Sequence, residues 1–319
     1  MKATHPKLRI LKRTDDSLAT LRGVHMKRLI YILAPVVAGS IILYFFLKEV
    51  FAGNIILQPV LLRLGILEIR WYGVLIATGV VLAYLVGRKL AIREGLSEDH
   101  LIEGVFLGVI LGIIGARLWF VAFSWELFRD DPGSVLRFWE GFSGLAIHGA
   151  IFGALIAIYL YTKFRKKAKA SFLQGTDLFV AVLPLAQSIG RWGNFINYEA
   201  YGEPTSLPWR MFVPRAYRMP GYEGFEYFHP TFLYESLWNI GVFLVLIFVM
   251  KRRRRHGVVT GLYMILYSIA RYFIEPLRLD SLYIGEIRTA QLTSIALIFL
   301  GFAIMIYSRY KGTEVRKAS

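Results

Sequence analysis

GVFLGVILGIIGARLWFVAF, residues 104–123, carries a single charge, Arg117, in twenty positions. A helix of that length rises about 30 Å, the thickness of a bilayer's hydrocarbon core. It has no polar face to offer water, so it reads as a membrane span rather than a surface helix. Extended to 100–123, it is one of eight such stretches; the others lie near 28–47, 71–90, 144–162, 174–196, 231–250, 257–275 and 289–308. The composition agrees. Of 319 residues 56% are hydrophobic, 15% aromatic and 19% charged, with a mean hydropathy of +0.50, whereas soluble domains carry about 25% charged residues. The expected fold class is therefore all-α, a polytopic transmembrane helical bundle of about eight spans.

The charges set an orientation. The formal net charge is +16, and 25 of the 38 Lys and Arg fall in alternate inter-span segments: 1–28, Arg88 to Arg93, Lys163 to Lys169, Lys251 to Arg255, and the tail from Arg309. The positive-inside rule places those segments, and both termini, in the cytoplasm. KRRRR at 251–255 is then an orientation anchor, and no nucleic-acid partner is needed to explain the basic balance. With no Cys, disulfides, thiolate metal sites and a cysteine nucleophile are excluded, and any thiol chemistry must come from a partner. The basic segment 1–27 reads as a cytoplasmic leader and 28–50 as a retained N-terminal anchor, since no small-residue cleavage site follows the apolar run. Gly104, Gly108 and Gly112, spaced by four, predict a close approach by another helix.

Polar residues gather where five spans meet the outer face. Tyr72 lies in IRWYG, His148 in GLAIHGA, His229 and Glu235 in HPTFLYE, and Arg191, Asn194, Asn197 and Glu199 in GRWGNFINYE. Tyr267, Arg271, Glu275 and Arg278 lie in YSIARYFIEPLR. Charges inside a bilayer normally face a bundle interior or a water-filled cavity, which makes Arg191 and Arg271 functional candidates. A planar guanidinium fork suits phosphate. The structural alternative is an Arg271–Glu275 pair at i, i+4 that neutralises itself. His148, among small residues, is either structural or a proton acceptor for an incoming nucleophile. His229 and Glu235 read as a brace at a helix start, and Arg117 as a snorkelling or ion-paired residue. Residues 197–230, rich in Pro and aromatics, predict a compact periplasmic cap between spans five and six. FSWELFRDDPGSVLRFWEGF, 123–142, reads as an interfacial amphipathic element.

GRWGNFINYEAYGEP, residues 190–204, resembles the signature of the bacterial phosphatidylglycerol-prolipoprotein diacylglyceryl transferase family. IRWYG (69–73), GLAIHG (144–149), HPTFLYE (229–235) and RYFIEPLR (271–278) follow the family's order around it. The resemblance implies a multi-pass enzyme of the bacterial inner membrane with its active site toward the periplasm. Such an enzyme moves the diacylglyceryl group of phosphatidylglycerol onto the lipobox cysteine thiol of a prolipoprotein, forming a thioether and releasing glycerol phosphate. Its partners are phosphatidylglycerol, the lipobox peptide and membrane lipid; neither a cofactor nor a metal is implied. Carried over by position, Arg191 and Arg271 match the family's phospholipid-binding arginines and His148 its assigned base. Tyr72, Asn194, Glu199, Tyr267 and Glu275 match other functionally sensitive positions. The chain departs from the family in having Ser143 before Gly144 and Ala150 after Gly149, and in its extra first helix ahead of a family-like seven. The transferase membrane domain is expected over 51–310 and a cytoplasmic tail over 311–319. A transporter or flippase for an anionic lipid or solute is the alternative, because intramembrane arginines also line substrate pathways. A purely structural membrane protein leaves the shared depth of the polar motifs unexplained.

Overall fold

The computed structural model describes residues 31, 33–65, 67–136 and 146–315. The leader 1–27, the last residues of the amphipathic element, Ser143, Gly144 and the end of the tail lie outside the described residues. Among the described residues, eight helices are each long and apolar enough to cross a membrane: α1 Leu33–Ala52, α2 Trp71–Arg93, α3 Glu98–Phe123, α4 Ile147–Phe164, α5 Phe172–Ile196, α6 Thr231–Arg252, α7 Val258–Ile274 and α8 Thr289–Lys311. A 3-10 turn, Glu275–Leu277, extends α7. The eight expected spans are all present, with ends displaced by a few residues, and the chain is a multi-pass membrane protein.

The described connections at one end of the bundle are built differently from those at the other. Between α1 and α2 lies the hairpin β1 Val60–Leu64 and β2 Leu67–Arg70; β3 Met211–Phe212 pairs with β4 Tyr227–Phe228 between α5 and α6; β5 Tyr283–Ile284 pairs with β6 Ile287–Arg288 before α8. The expected helical bundle is borne out, and among the described residues these short strand pairs join its helices. Outside the helices the backbone must pair its N–H and C=O groups locally, and two-stranded turns do so. We call this the cap end and the other the basic end.

Helix packing follows the small residues. Carbon added at Gly115 would meet the Gly149 carbonyl carbon at 3.2 Å and the Gly153 Cα at 3.3 Å, so α3 and α4 cross nearly backbone to backbone. The expected stripe of Gly104, Gly108 and Gly112 is corrected here. Gly108 has nothing within 4 Å and Gly104 meets only the Tyr161 ring edge at 3.9 Å, while Gly115 replaces them. The contact stripe runs Gly112, Gly115 on α3 against Gly149, Gly153 on α4, because i, i+3 and i, i+4 neighbours share a helix face. Gly79 of α2 sits against Ala186 of α5, and Gly261 of α7 against Gly301 of α8. Helix α5 is the central rod, with buried positions along its length, from Gln174 to Phe195.

The cap, 197–230, folds over the end of α5 and the start of α6. Tyr198, Tyr201, Met211, Val213 and Phe228 form an aromatic-rich core with Phe195, Phe232 and Val50 of the helices. The Tyr201 hydroxyl accepts from the Met219 N–H at 2.7 Å and donates to the Tyr217 carbonyl at 3.0 Å. Helix α1 joins the fold through this cap: Phe51 packs on Phe195 and Phe232, while most of its earlier described residues are exposed.

At the basic end one member of KRRRR is not where an orientation anchor would put it. Arg253 is fully buried, its Nε donating to Asp177 Oδ2 at 2.9 Å and its Nη1 to Glu94 Oε1 at 2.7 Å. Asp177 also accepts from the Gly257 and Thr260 N–H groups, each at 2.8 Å. The group ties the ends of α2, α5, α6 and α7 together. Lys251, Arg252 and Arg254 stay exposed, as the positive-inside reading expects. Arg253 turns inward because two carboxylates at the same depth need a cation.

Candidate active site

At the cap end, Glu235 stands in the second turn of α6, with 6% of its side chain exposed. A carboxylate held that far from water needs cations around it. Three arginines supply them. Arg191 Nη2 of α5 forms an ion pair with Glu235 Oε2, Arg271 Nη1 of α7 lies 3.5 Å from Oε1, and Arg278 Nη1 lies 3.2 Å from the same oxygen. Guanidinium groups from α5 and α7 therefore meet on the two oxygens of one buried carboxylate.

The rest of the charge balance surrounds this point. Arg271 Nη2 is 2.6 Å from Glu275 Oε2, the self-neutralising pair that the helix spacing allows. The alignment is poor, however: Arg271 Nη1 and Glu275 Oε2 are both buried without a directed hydrogen bond. Arg278 bonds Asp280 through Nε at 2.9 Å and Nη2 at 2.7 Å. Burial works against a charged Arg278, but Asp280 and Glu235 outweigh it and push its pKa up. The 202–203 segment of the cap holds this turn in place: Gly202 bridges to Arg278, and the Glu203 N–H donates to the Leu277 carbonyl at 2.8 Å.

The end of α5 turns sharply into the cap. Tyr198 and Ala200 take positive φ, 54° and 56°, which costs strain in a non-glycine residue. The turn is held by its own polar groups. Asn194 Nδ2 and Asn197 Nδ2 donate to Glu199 Oε1 at 2.8 and 3.3 Å, and Arg191 Nη1 donates to Asn194 Oδ1 at 3.3 Å. Asn197 Oδ1 is buried with no partner among the described residues. Tyr72, in the first turn of α2, lies flat against Gly193, where any added carbon would strike its ring.

The structure thus brings Arg191, Asn194, Glu199, Tyr267, Arg271, Glu275 and Tyr72 to the cap end. Tyr267 is one turn below Arg271, stacked on Tyr263 with centroids 5.6 Å apart. His148 stands apart from the ion pairs. It is exposed and stacks on Trp119 at 6.0 Å, and among the described residues no hydrogen bond reaches its ring. Arg117, expected to snorkel or pair with an acid, donates to the Val135 and Ser134 carbonyls at 2.9 and 3.0 Å and lies over the Phe128 ring.

Sequence reasoning missed the centre of this arrangement. The helix-start spacing marks Glu235 only as a brace and gives Arg278 no site role, yet the structure puts both among the ion pairs. A signal was there: an acid in the second turn of a membrane span must find a cation, and it lay at the same depth as the arginines.

Beside Arg271 a small open cleft is lined by Glu235, Trp238, Asn239, Tyr267, Ala270 and Arg271. The site therefore combines cationic forks and an opening between α6 and α7, with the exposed His148 on α4 apart from them. Such a set can hold a phosphate and lower the barrier to breaking a bond from carbon to a phosphate oxygen.

Comparison with known proteins gives this site a family. The model of the prolipoprotein diacylglyceryl transferase family matches residues 59–307. A phosphatidylglycerol–prolipoprotein diacylglyceryl transferase of Fervidobacterium nodosum is 49% identical over 282 residues, 88% of this chain and 95% of that protein. Those of Thermotoga maritima and Gloeobacter violaceus are 51% and 47% identical, covering 87% and 76% of this chain and 94% and 90% of theirs. From the matched span, and from identity near one half over most of its length, this chain belongs to the prolipoprotein diacylglyceryl transferase family.

Proposed function

We propose that this chain transfers the diacylglyceryl group of phosphatidylglycerol to the lipobox cysteine thiol of a prolipoprotein, and that Arg191 and Arg271 hold the phosphate while it leaves. The observation that carries the reading is the meeting of these two guanidiniums, from separate spans, on one buried carboxylate.

The chemistry follows from that geometry. The peptide sulfur attacks the glyceryl carbon, a carbon–sulfur bond forms, and the bond from that carbon to the phosphate oxygen breaks. Its electron pair stays on the departing glycerol phosphate. Negative charge grows there, and fixed guanidiniums in a site shielded from water stabilise it without reorganising. Glu235 keeps the forks oriented before the lipid arrives. The undirected Arg271 Nη1 is the group with most to gain from a phosphate oxygen. His148 takes the thiol proton; a free thiol, with a pKa near 8.5, is mostly protonated at neutral pH. Tyr72, Asn194, Glu199, Tyr267 and Glu275 orient the arginines or bind head-group hydroxyls. The orientation completes the reading: the basic end faces the cytoplasm of a bacterial inner membrane, both termini with it, and the site opens toward the periplasm.

The test supplies purified protein with phosphatidylglycerol and a lipobox peptide, and reads a mass gain on the peptide Cys together with released glycerol phosphate. Lipid movement without covalent product would replace the transferase by the transporter that the sequence left open.

A further inference from the structure

One buried polar side chain in the cleft has no partner. Asn239 lies one helical turn beyond Glu235 on α6 and is 3% exposed. Its amide lines the cleft beside Tyr267 and Arg271, and among the described residues it makes no side-chain hydrogen bond. Nearby donors and acceptors are taken up elsewhere: Trp238 Nε1 donates to the Leu266 carbonyl at 3.0 Å, and Gln187 and Tyr263 bond one another at 3.0 and 3.2 Å, which leaves Asn239 and Arg271 Nη1 as the free donors of the cleft. The residue is buried but its amide opens onto the cleft and is engaged by no other side chain, so it offers a free donor to a group that enters there.

Depth identifies that group. α6 runs from the cap end to the basic end, so Asn239, four residues on, lies about 6 Å deeper in the bundle than Glu235. A phospholipid whose phosphate sits on Arg191 and Arg271 directs its acyl chains toward the middle of the bilayer. Its ester linkages then fall at the level of Asn239. The head-group glycerol lies on the other side of the phosphate, out of the amide's reach. We infer that Asn239 Nδ2–H donates to an acyl-ester carbonyl of the lipid, making it a residue that selects ester-linked over ether-linked lipid. This inference rests on the phosphate placement proposed above. The carbonyl is remote from the breaking bond, so an ether lipid lacking it remains chemically competent for transfer.

The experiment uses the full chain with ester-linked phosphatidylglycerol and, separately, its dialkyl ether analogue of equal chain length, each with a lipobox peptide. A neutral buried hydrogen bond corresponds to roughly a 3- to 10-fold change in rate. The unsubstituted protein should therefore favour the ester lipid by about that factor in kcat/KM, and Asn239→Leu should bring the ratio close to one. Because each ratio is taken within one preparation, a smaller folded fraction cancels. A second variant, Asn239→Ser, keeps a donor and should retain part of the preference. An undiminished ratio in Asn239→Leu, or no preference in the unsubstituted protein, overturns the assignment. Arg271→Lys in the same assay should slow both lipids alike; normal turnover there would sink the phosphate placement itself, a failure separate from that of the ester contact.

Discussion

Replacing Arg191 by Lys separates a cationic field from a guanidinium fork. The substitution keeps one positive charge beside Glu235, and Arg191 is 22% exposed in its side chain, so the fold loses little. What disappears is the planar pair of donors that reaches Glu235 and Asn194 and would meet two phosphate oxygens. A charge-assisted hydrogen bond is worth about 1.5–3 kcal/mol. At about 1.4 kcal/mol per factor of ten, kcat/KM for diacylglyceryl transfer should fall roughly 10- to 150-fold. The assay follows lipidated peptide by mass, alongside thermal inactivation of the same sample. Arg253→Lys at the opposite end is the control. Arg253 is wholly buried, and an ammonium cannot remake its bonds to Asp177, Glu94 and the Met250 carbonyl. That variant should lose about 3 kcal/mol of stability while turning over normally per folded molecule. Arg191→Lys within twofold of the unsubstituted kcat/KM, or the two variants failing in the same way, would refute the division of labour between the two ends.

His148→Gln should lower turnover about 100-fold or more and abolish the acid limb of the rate–pH profile, if the imidazole takes the thiol proton; an unchanged limb removes that role. Gly153→Leu would drive a side chain into the Leu111 and Gly112 backbone of α3, so the α3–α4 pair should separate and thermal inactivation should move down by several degrees; an unchanged transition would contradict the close crossing. At the basic end, burial first and then the charge of Arg253 push the His256 pKa down to about 4 from an ordinary 6.5. Because the folded state binds that proton less readily than the unfolded chain, the stabilisation is present above about pH 6.5 and is lost as the pH falls from 6.5 toward 4. His256→Gln should flatten the stability profile over that window, measured as inactivation temperature against pH.

The spans were legible in the sequence because a helix crossing hydrocarbon must be apolar on every side for about 20 residues, a requirement visible in any window of the chain. The arginines were legible for the converse reason: a charge inside such a window is costly and stands out. Glu235 was equally conspicuous in composition, yet its role depended on which residues surround it, and those come from α5, α7 and the turn after α7.

Local pattern therefore determined the number of spans, the alternation of basic segments and the shared depth of the polar motifs, all of which are set by transfer of short segments between water and lipid. Tertiary structure decided the rest. It turned Arg253 inward, moved the glycine stripe from Gly108 to Gly115, kept His148 out of the ion pairs and placed an unpartnered Asn239 in the cleft. Each of these depends on the rotation of one helix about its axis relative to its neighbours, and packing fixes that rotation through contacts between residues far apart in the chain.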